Sequence, residues 1–230
     1  MYQRVLLKIS GEALSSPQSA LCAETIARTA DMLCQMHALG VQTGVVVGGG
    51  NIMRGRSAGK MERNRADHMG MLATAINALA LQDTLERMDV PCAVLSAVSM
   101  PTFCETYSSR LAKQYLSDGT VVIFACGSGC PFFSTDTAAA LRAAEIGADA
   151  LLLAKNVDAV YSADPKLEPD AVRYSHLSYD KVIADDLHAT DLTAITLCRE
   201  QGILIHVFAL DRMLDAIMQK DCGTVISACG

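Results

Sequence analysis

The regular alternation of short apolar runs and longer helix-like segments constrains the fold of this chain more than any other feature. Runs rich in Val, Ile and Leu predict strands at Arg4–Ile9, Val41–Val47, Cys92–Ala97, Thr120–Ala125, Ala150–Leu153, Ile203–Phe208 and Thr224–Ser227. The segments between them predict helices at about Leu21–Leu39, Ala66–Met88, Glu105–Leu116, Thr137–Ile146, Leu192–Gln201 and Asp211–Met218. Helices between strands act as crossover connections, which make neighbouring strands parallel. We therefore predict an α/β fold, a three-layer α/β/α sandwich around a largely parallel sheet.

Length, charge and hydropathy narrow the class of protein. The 230 residues suit a single domain spanning residues 1–230, with enough chain for one well-filled core. The net charge of −6 disfavours a nucleic acid as main partner, because nucleic-acid binders usually carry basic surfaces. No apolar stretch approaches about eighteen residues, so we expect no membrane partner and a cytoplasmic location. The nine cysteines include no CxxC pair, so neither a disulfide framework nor a zinc site is predicted.

A lysine stands inside the first apolar run, in the motif Lys8-Ile9-Ser10-Gly11-Glu12. Lysine is seldom buried without a partner. Lys8 therefore either faces water at a sheet edge or directs its ammonium group at a phosphate, with Gly11 allowing close approach of the backbone. The motif lies where a strand ends, and open parallel sheets bind their ligands at that edge.

The second motif, Gly48-Gly49-Gly50-Asn51-Ile52-Met53-Arg54-Gly55, also follows a predicted strand. Consecutive glycines remove side chains where the backbone meets a ligand, and their amides can donate to an anion. Arg54 adds a planar guanidinium group suited to phosphate oxygens. We favour phosphate binding over a merely flexible turn. The chain contains no P-loop and no G-x-G-x-x-G strand-to-helix turn, which argues against P-loop kinases and Rossmann dehydrogenases.

Two later segments also combine turn residues with ring or hydroxyl side chains. In Ala125-Cys126-Gly127-Ser128-Gly129-Cys130-Pro131-Phe132-Phe133-Ser134-Thr135-Asp136, the two Phe rings either wall an aromatic base or belong to the core. Thr135 or Asp136 is predicted to cap the helix that follows. The segment Asn156-Val157-Asp158-Ala159-Val160-Tyr161-Ser162-Ala163-Asp164-Pro165 is either a polar turn or a loop that closes over a purine. Ser162–Pro169 is predicted to be an exposed loop.

In this order and spacing, the motifs resemble the bacterial UMP kinase branch of the amino-acid-kinase family. The matching segments are Lys-x-Ser-Gly-Glu, Gly-Gly-Gly-Asn-x-x-Arg-Gly, Asp67-His68-Met69-Gly70-Met71-Leu72-Ala73-Thr74, Gly-x-Gly-x-Pro-Phe-Phe-x-Thr-Asp and Val-Asp-x-Val-Tyr-x-Ala-Asp-Pro. The match runs from about Tyr2 to Val225. It implies an enzyme of pyrimidine nucleotide biosynthesis that transfers the γ-phosphoryl group of ATP to UMP, giving UDP and ADP. ATP and Mg²⁺ are then the implied cofactors, with Mg²⁺ held by the nucleotide phosphates.

The resemblance also implies roles for individual residues. Lys8 and Arg54 become the cations at the transferred group, and Asp191 orients Lys8 unless it is simply a helix cap. Contacts with ATP are implied for Lys8, Ser10, Gly11, Gly50, Arg54, Lys155, Asn156, Tyr161 and Asp164. Contacts with UMP are implied for Gly49, Asp67, Ser128, Gly129, Cys130, Pro131, Phe132, Phe133, Ser134 and Thr135. No metal ligand of the protein is implied.

Relatives of this branch are commonly hexamers that respond to GTP and UTP, so the resemblance implies a homo-oligomer with these effectors. Three departures bear on these expectations. Cys130 stands where many relatives carry Asn, which leaves the choice of uracil open, and Lys155 stands where some relatives carry Thr. Ser15–Ser19 lacks a Gly-Phe-Gly segment that many relatives have, which leaves the effector response open.

The predicted helix Ala66–Met88 carries an apolar face that fits either a subunit interface or an internal core. This face consists of Met69, Leu72, Ile76, Leu79 and Ala80.

Two alternative functions remain open from the sequence. The chain could belong to another branch of the same superfamily that phosphorylates a carboxylate, a carbamate or another phosphate. The Asp67 segment and the loop with two Phe residues argue against that branch. The chain could also be a nucleotide sensor or storage protein that kept the fold without the activity. The presence of both Lys8 and Arg54 argues against that role.

Overall fold

A nine-stranded sheet forms the centre of the protein. A computed structural model describes residues 1–53, 61–165, 167–188 and 190–229. The strands are β1 (Arg4–Ile9), β2 (Gln42–Val47), β3 (Cys92–Ser96), β4 (Glu105–Thr106), β5 (Val121–Ala125), β6 (Ala150–Lys155), β7 (Val160–Tyr161), β8 (Arg173–Tyr174), β9 (His176–Ser178), β10 (Leu204–Ala209) and β11 (Thr224–Ser227). The large sheet has the order β4-β3-β5-β2-β1-β6-β10-β11-β9, and β7 and β8 form a separate pair. Within the large sheet, every pair is parallel except β10 with β11.

Helices cover both faces of this sheet. They are α1 (Ala23–Ala38), α2 (Arg63–Arg87), α3 (Ser109–Ser117), α4 (Thr135–Ile146), α5 (Tyr179–Ala184), α6 (Leu192–Gln201) and α7 (Met213–Ile217). Buried side chains of α1, α2 and α7 share one hydrophobic core, and those of α3 to α6 share the other. The α/β class, the three layers and the largely parallel sheet are therefore as the sequence predicts.

The alternation of side chains along β1 decides which face of the sheet carries its lysine. Val5, Leu7 and Ile9 point into the core under α1 and α2, whereas Leu6 packs in the core under α4. Because side chains alternate along a strand, Lys8 lies on the same face as Leu6. This parity brings its ammonium group to the helix layer that contains α4 and α6.

The apolar face predicted for the long helix is not the face that packs against the sheet. In α2 the buried apolar residues include Ala73, Ala78, Leu81 and Leu85. Met69, Leu72 and Ile76 are 40%, 54% and 46% exposed, and Leu79 and Ala80 are half-buried. Of the two roles left open for this face, an internal core is therefore ruled out within the single chain for Met69, Leu72 and Ile76, because α2 has a second apolar stripe that packs against the sheet. The stripe with more alanine lets the helix axis approach the sheet closely, and it is the one that is buried.

Short elements account for most other differences from the predicted secondary structure. The third predicted helix begins at Ser109 instead of Glu105, because Ser108 accepts the Leu111 N–H and caps it, while Glu105–Thr106 pairs with β3. Strands β7 to β9 and helix α5 were not predicted. They contain two to six residues each, too few for the repeat of apolar residues that identifies a strand or a helix in a sequence. All nine cysteines are free thiols. Among the described residues, no helix is long and apolar enough to cross a membrane.

Candidate active site

A buried carboxylate gathers two lysines at the carboxyl ends of β1 and β6. Lys8 Nζ lies 2.7 Å from Asp136 Oδ1, and Lys155 Nζ donates to Asp136 Oδ2 at 3.0 Å. The Thr190 hydroxyl donates to the same Oδ2 at 2.7 Å. Lys8 is the last residue but one of β1, Lys155 ends β6, and Asp136 lies in the first turn of α4. We call these four residues the charge cluster.

Electrostatics keep the carboxylate of the charge cluster ionised. Burial alone would raise the pKa of Asp136, but the attraction of Lys8 and Lys155 outweighs burial and holds this pKa well below its ordinary value. The first turn of α4 adds the positive end of a helix dipole, which also favours the anion. The cluster therefore carries two fixed ammonium groups against one carboxylate, a local excess of positive charge on a protein whose net charge is −6.

The carboxylate that touches Lys8 is not the one that the resemblance implied. Asp191 was expected to orient Lys8, yet the ion pair is made by Asp136. Asp191 occupies the N-cap position of α6 without a side-chain cap hydrogen bond, and its neighbour Thr190 is the residue that reaches the cluster. Asp136 itself was interpreted as a possible helix cap. The cap of α4 is instead Ser134, which accepts the N–H groups of Asp136 and Thr137, and this leaves the Asp136 side chain free to face the lysines.

The glycine-rich turn after β2 packs directly against the turn after β1. A Cβ atom on Gly11 would lie 2.3 Å from Asn51 Oδ1 and 2.8 Å from the Gly48 carbonyl oxygen, so only glycine fits at this position. The fully buried Asn77 of α2 donates to the Gly48 carbonyl at 2.7 Å and to Asn51 Oδ1 at 2.8 Å. A helix side chain thus fixes the shape of the predicted phosphate-binding turn.

A cavity of about 200 Å³ opens between this turn, helix α2 and the loop after β5. We call it the acceptor cavity. Its lining includes these residues for which contacts with UMP were implied: Gly49, Asp67, Ser128, Cys130, Phe133, Ser134 and Thr135. It also includes Gly50, for which a contact with ATP was implied. The remaining lining residues had no implied ligand contact of their own: Met53, Ala66, Gly70, Met71, Thr74, Cys126 and Gly127.

The segment Cys126–Phe132, here called the acceptor loop, has an irregular backbone that is tied to α2. Cys126 and Phe132 have φ of 62° and 71°, values that are unfavourable for residues with a side chain. The Cys126 N–H donates to Thr74 Oγ1 at 2.8 Å, and the Phe132 N–H donates to Asp67 Oδ2 at 2.8 Å. Both acceptors belong to α2, so this helix positions both ends of the loop.

The two phenylalanines of this region have different surroundings. Phe133 lines the acceptor cavity and is 54% exposed. Phe132 is 64% exposed and lies beneath the Arg63 guanidinium, with Cζ 5.6 Å from the ring centroid. Gly129, Pro131 and Phe132 lie outside the cavity lining of the described residues, although contacts with UMP were implied for all three. The Phe132 ring therefore lies against Arg63 and outside the cavity lining.

A second cavity, of about 500 Å³, lies beyond the charge cluster, and we call it the donor cavity. Lys155, Tyr161 and Asp164 line it, as the resemblance implied for ATP. The turn Asp185–His188 and Val207 complete much of its wall and were not predicted. Contacts with ATP were also implied for three residues that do not line this cavity in the described part of the chain: Ser10, Gly11 and Asn156. Ser10 and Gly11 directly follow β1.

The charge cluster connects the two cavities. Thr135 lines the acceptor cavity, and the next residue is Asp136. The lysine on the other side of Asp136, Lys155, lines the donor cavity. Lys155 is therefore open to an anionic ligand in the donor cavity, whereas Lys8 lines neither cavity and reaches the cluster through its ion pair with Asp136. The predicted cation Arg54 lies outside the described residues.

Known proteins with the same features decide the family. A sequence model of the Amino acid kinase family matches residues 3–209. The chain belongs to the amino acid kinase family. This amino acid kinase is 54% identical over 214 residues to a protein named uridylate kinase from Paramagnetospirillum magneticum, covering 92% of this chain and 89% of the relative.

Solved structures agree with this assignment. The UMP kinase from Bacillus anthracis superposes with a TM-score of 0.97 at 33% identity, covering 100% of this amino acid kinase and 97% of that chain. The UMP kinase from Ureaplasma parvum superposes with a TM-score of 0.93 at 36% identity, covering 99% of each chain. The family and fold predicted from the motifs are thereby confirmed.

Three residues that shape the site were not singled out from the sequence. Asp136 was itself interpreted as a possible helix cap, and capping explained it without any other role. Thr74 and Asn77 lie within a long helix, where single polar residues are usually surface positions. A signal was available for Asn77, because it is polar and lies one turn from Ala73 and Leu81, on the buried stripe of α2.

Proposed function

We propose that this amino acid kinase transfers the γ-phosphoryl group of ATP to UMP, giving ADP and UDP in pyrimidine nucleotide biosynthesis. The observation that carries the proposal is the charge cluster, in which Asp136 holds Lys8 at 2.7 Å and Lys155 at 3.0 Å between two cavities. The relatives named uridylate kinase and UMP kinase support UMP as the acceptor. The continuous nine-stranded sheet supports a single domain over residues 1–230.

The chemistry needs positioning and charge neutralisation more than it needs a covalent partner. Donor and acceptor phosphates repel one another, and two fixed ammonium groups offset this repulsion where the phosphoryl group crosses. One preorganised group at developing charge is typically worth about 3 kcal/mol. Asp136 prevents the two lysines from repelling each other and fixes their Nζ atoms before the substrates bind. Arg54 is proposed to add a third cation.

The acceptor cavity offers the groups that a nucleoside monophosphate requires. Gly49 and Gly50 lie at its phosphate end, beside the turn that Asn77 fixes. Asp67 accepts the Phe132 N–H and Arg63 Nε, both at 2.8 Å. A carboxylate has about four acceptor sites. Asp67 therefore keeps capacity for ribose hydroxyls while it holds the loop, and Phe133, Ser128 and Cys130 remain for the base.

Mg²⁺ is proposed to reach the site on the nucleotide phosphates. Mg²⁺ prefers oxygen ligands and is commonly bound by substrate phosphates with few protein groups. The donor set fits this mode: the described residues contain no group of three metal-ligating side chains, and the Asp136 oxygens are taken by lysines and Thr190. The ion would neutralise phosphate charge when bound. Lys8 and Lys155 would act on the remaining oxygens.

The decisive experiment is a coupled assay of ADP formation with UMP, CMP, glutamate and carbamate as alternative acceptors. We expect Mg²⁺-dependent turnover with UMP and much less with the other three. Turnover with glutamate or carbamate, and none with UMP, would assign the chain to another branch. Binding of UMP and ATP without formation of UDP would show that the protein is a nucleotide sensor.

We further propose that the chain forms a homo-oligomer, a hexamer by resemblance. The face of α2 that carries Met69, Leu72 and Ile76 is exposed in the single chain, and exposed apolar patches commonly mark protein interfaces. Light scattering with sedimentation would give the subunit number. Ile76→Glu should lower the mass, whereas the same change at Gln82, on the polar side of α2, should not. Repeating the kinase assay with GTP and UTP tests the implied effectors.

A further inference from the structure

The acceptor loop is held from a second side, by a residue that does not line the acceptor cavity. Arg142 of α4 donates from Nη2 to the Gly127 carbonyl oxygen at 3.2 Å. Gly127 follows Cys126 in the chain, and both have left-handed backbones, with φ of 58° and 62°. Glycine adopts this conformation freely, but Cys126 keeps it only where surrounding contacts fix it. Arg142 supplies the contact at the point where the chain leaves β5 and enters the loop.

Arg142 is itself immobilised on three sides. Its side chain is 5% exposed, and Nη1 forms an ion pair with Glu145 Oε2. Its Cζ atom lies 3.9 Å from the centroid of the Tyr107 ring, a stacked arrangement that planar guanidinium groups favour. The Tyr107 hydroxyl closes the network by donating to Glu145 Oε2 at 2.6 Å. Burial and this hydrogen bond raise the pKa of Tyr107, so the phenol stays protonated and continues to donate.

A buried arginine of this kind has two possible purposes. It could stabilise the packing of α4 against Tyr107, or it could fix the loop that receives the acceptor nucleotide. The first purpose would not require a bond to the loop. In Arg142, Nη1 of the guanidinium pairs with Glu145, and Nη2 donates to the Gly127 carbonyl. Gly127 lines the acceptor cavity. The network thus transmits the position of a helix to the cavity wall.

We propose that Arg142 is a positioning residue for the acceptor nucleotide, acting through the Gly127 carbonyl without touching the substrate. This proposal rests on the proposed function. Thr74 and Asp67 hold the loop from α2, and Arg142 holds it from α4, so the cavity wall is fixed from both helix layers of the sandwich. The acceptor site is therefore formed before UMP binds.

The test compares Arg142→Met and Arg142→Lys with the control Arg4→Met. Arg4 is a half-buried arginine of β1 that donates to the Ile146 carbonyl at 2.8 Å. Ile146 ends α4, the helix that carries Arg142, so this contact lies far from the acceptor loop. We expect Arg142→Met to raise the KM for UMP about tenfold, the usual effect of losing one charge-assisted hydrogen bond, with the KM for ATP within about twofold. Arg142→Lys should show a smaller rise in the same constant, because an ammonium group cannot span Glu145 and Gly127 as a fork does.

Amide hydrogen exchange at residues 126–132, measured without nucleotide, gives a readout that needs no activity. Exchange should be faster in Arg142→Met and unchanged in Arg4→Met, even where both variants lose thermal stability. An unchanged KM for UMP in folded Arg142→Met would overturn the proposal, as would an equal rise in Arg4→Met. If the Met variant does not fold, the Lys variant decides by the same criteria. If the wild type does not use UMP, the proposed function fails, and exchange at 126–132 still decides the role of Arg142.

Discussion

The charge cluster and the acceptor loop form two neighbouring regions of one site, and they are built in opposite ways. The lysines of the cluster stand at the ends of regular strands, and Asp136 stands in the first turn of a helix. The acceptor loop has a left-handed backbone at Cys126 and Phe132 and takes its shape from side chains of other elements. The groups proposed to act on the transferred phosphoryl group thus lie on regular strands and a helix, whereas the groups proposed to select the acceptor depend on a loop held by other elements.

This difference predicts two kinds of mutational effect. Changes in the charge cluster should lower kcat, because they remove charge at the transferred group. Changes in the loop or its anchors should raise the KM for the acceptor and leave the KM for ATP nearly unchanged. A loop variant with a large loss of kcat, or a cluster variant that alters only the KM for UMP, would break the distinction.

Replacing Lys8 with alanine should have the largest effect. It removes an ammonium group that Asp136 holds at 2.7 Å. We expect kcat to fall at least about a hundredfold, as for other preorganised charges at a reacting group, while nucleotide binding partly survives. Steady-state kinetics and equilibrium binding of ATP separate these effects. Lys113→Ala, at an exposed position of α3, is the control and should keep wild-type kcat. Equal kcat in both variants would remove Lys8 from the mechanism.

Asp136→Asn should have the next largest effect, because it leaves two lysines without their counter-ion. We expect kcat to fall roughly tenfold to a hundredfold, the range for groups that orient a catalytic residue, and stability to fall by about 3 kcal/mol at pH 7. The matched control is Asp215→Asn, since Asp215 also lies between two cations, Arg212 at 2.7 Å and Lys220 at 3.1 Å, but on the surface. Its kcat should not change.

Asp136→Asn also gives a prediction for the pH dependence of stability. The pKa of Asp136 is held below its ordinary value, so its contribution to stability is fully present above the unfolded pKa of about 3.9. That contribution is lost as pH falls through the lower folded pKa. Thermal unfolding from pH 7 to pH 2 should therefore show wild type and Asp136→Asn converging below about pH 4. A stability difference that stays constant over this range would show that Asp136 is not held ionised.

The contrast between the two regions also explains what the sequence could predict. The apolar run Arg4–Ile9 predicted strand β1, and the position of Lys8 in that run predicted a cation at the end of the strand. Both predictions succeed because they depend on the local pattern of residues. The partner of Lys8 was assigned to Asp191 instead of Asp136. The starts of α4 and α6 both carry an acidic residue on the same side of the sheet, and only the packing of those helices decides between them. The left-handed backbone at Phe132 has no local signal either, so its outward ring could not be predicted.

Thr74→Val should have a moderate effect on the acceptor loop. The change keeps the shape of the side chain but removes the oxygen that accepts the Cys126 N–H at 2.8 Å. A buried N–H without a partner is unfavourable, and we expect the KM for UMP to rise about fivefold with kcat within about twofold. Thr84→Val is the control on the same helix, because the Thr84 hydroxyl donates to the Ala80 carbonyl of its own helix and accepts from Arg87 near the surface, away from the acceptor loop. A rise in KM for ATP as large as that for UMP would contradict the assignment of the loop to the acceptor.

Cys130→Asn should have the smallest effect and should appear only in the choice of base. Cys130 lines the acceptor cavity and is exposed. Its backbone, not its thiol, makes the contacts with Ser128, in which the N–H donates to Oγ at 3.2 Å and the carbonyl accepts from Oγ at 3.2 Å. An asparagine can therefore enter without disturbing the loop and offer an amide to the base. We expect the ratio of kcat/KM for UMP to that for CMP to rise about threefold to tenfold, the value of one hydrogen bond, with Cys130→Ala as the control that leaves it unchanged. An equal ratio in both variants would mean that selection of the base lies with the backbone and Phe133.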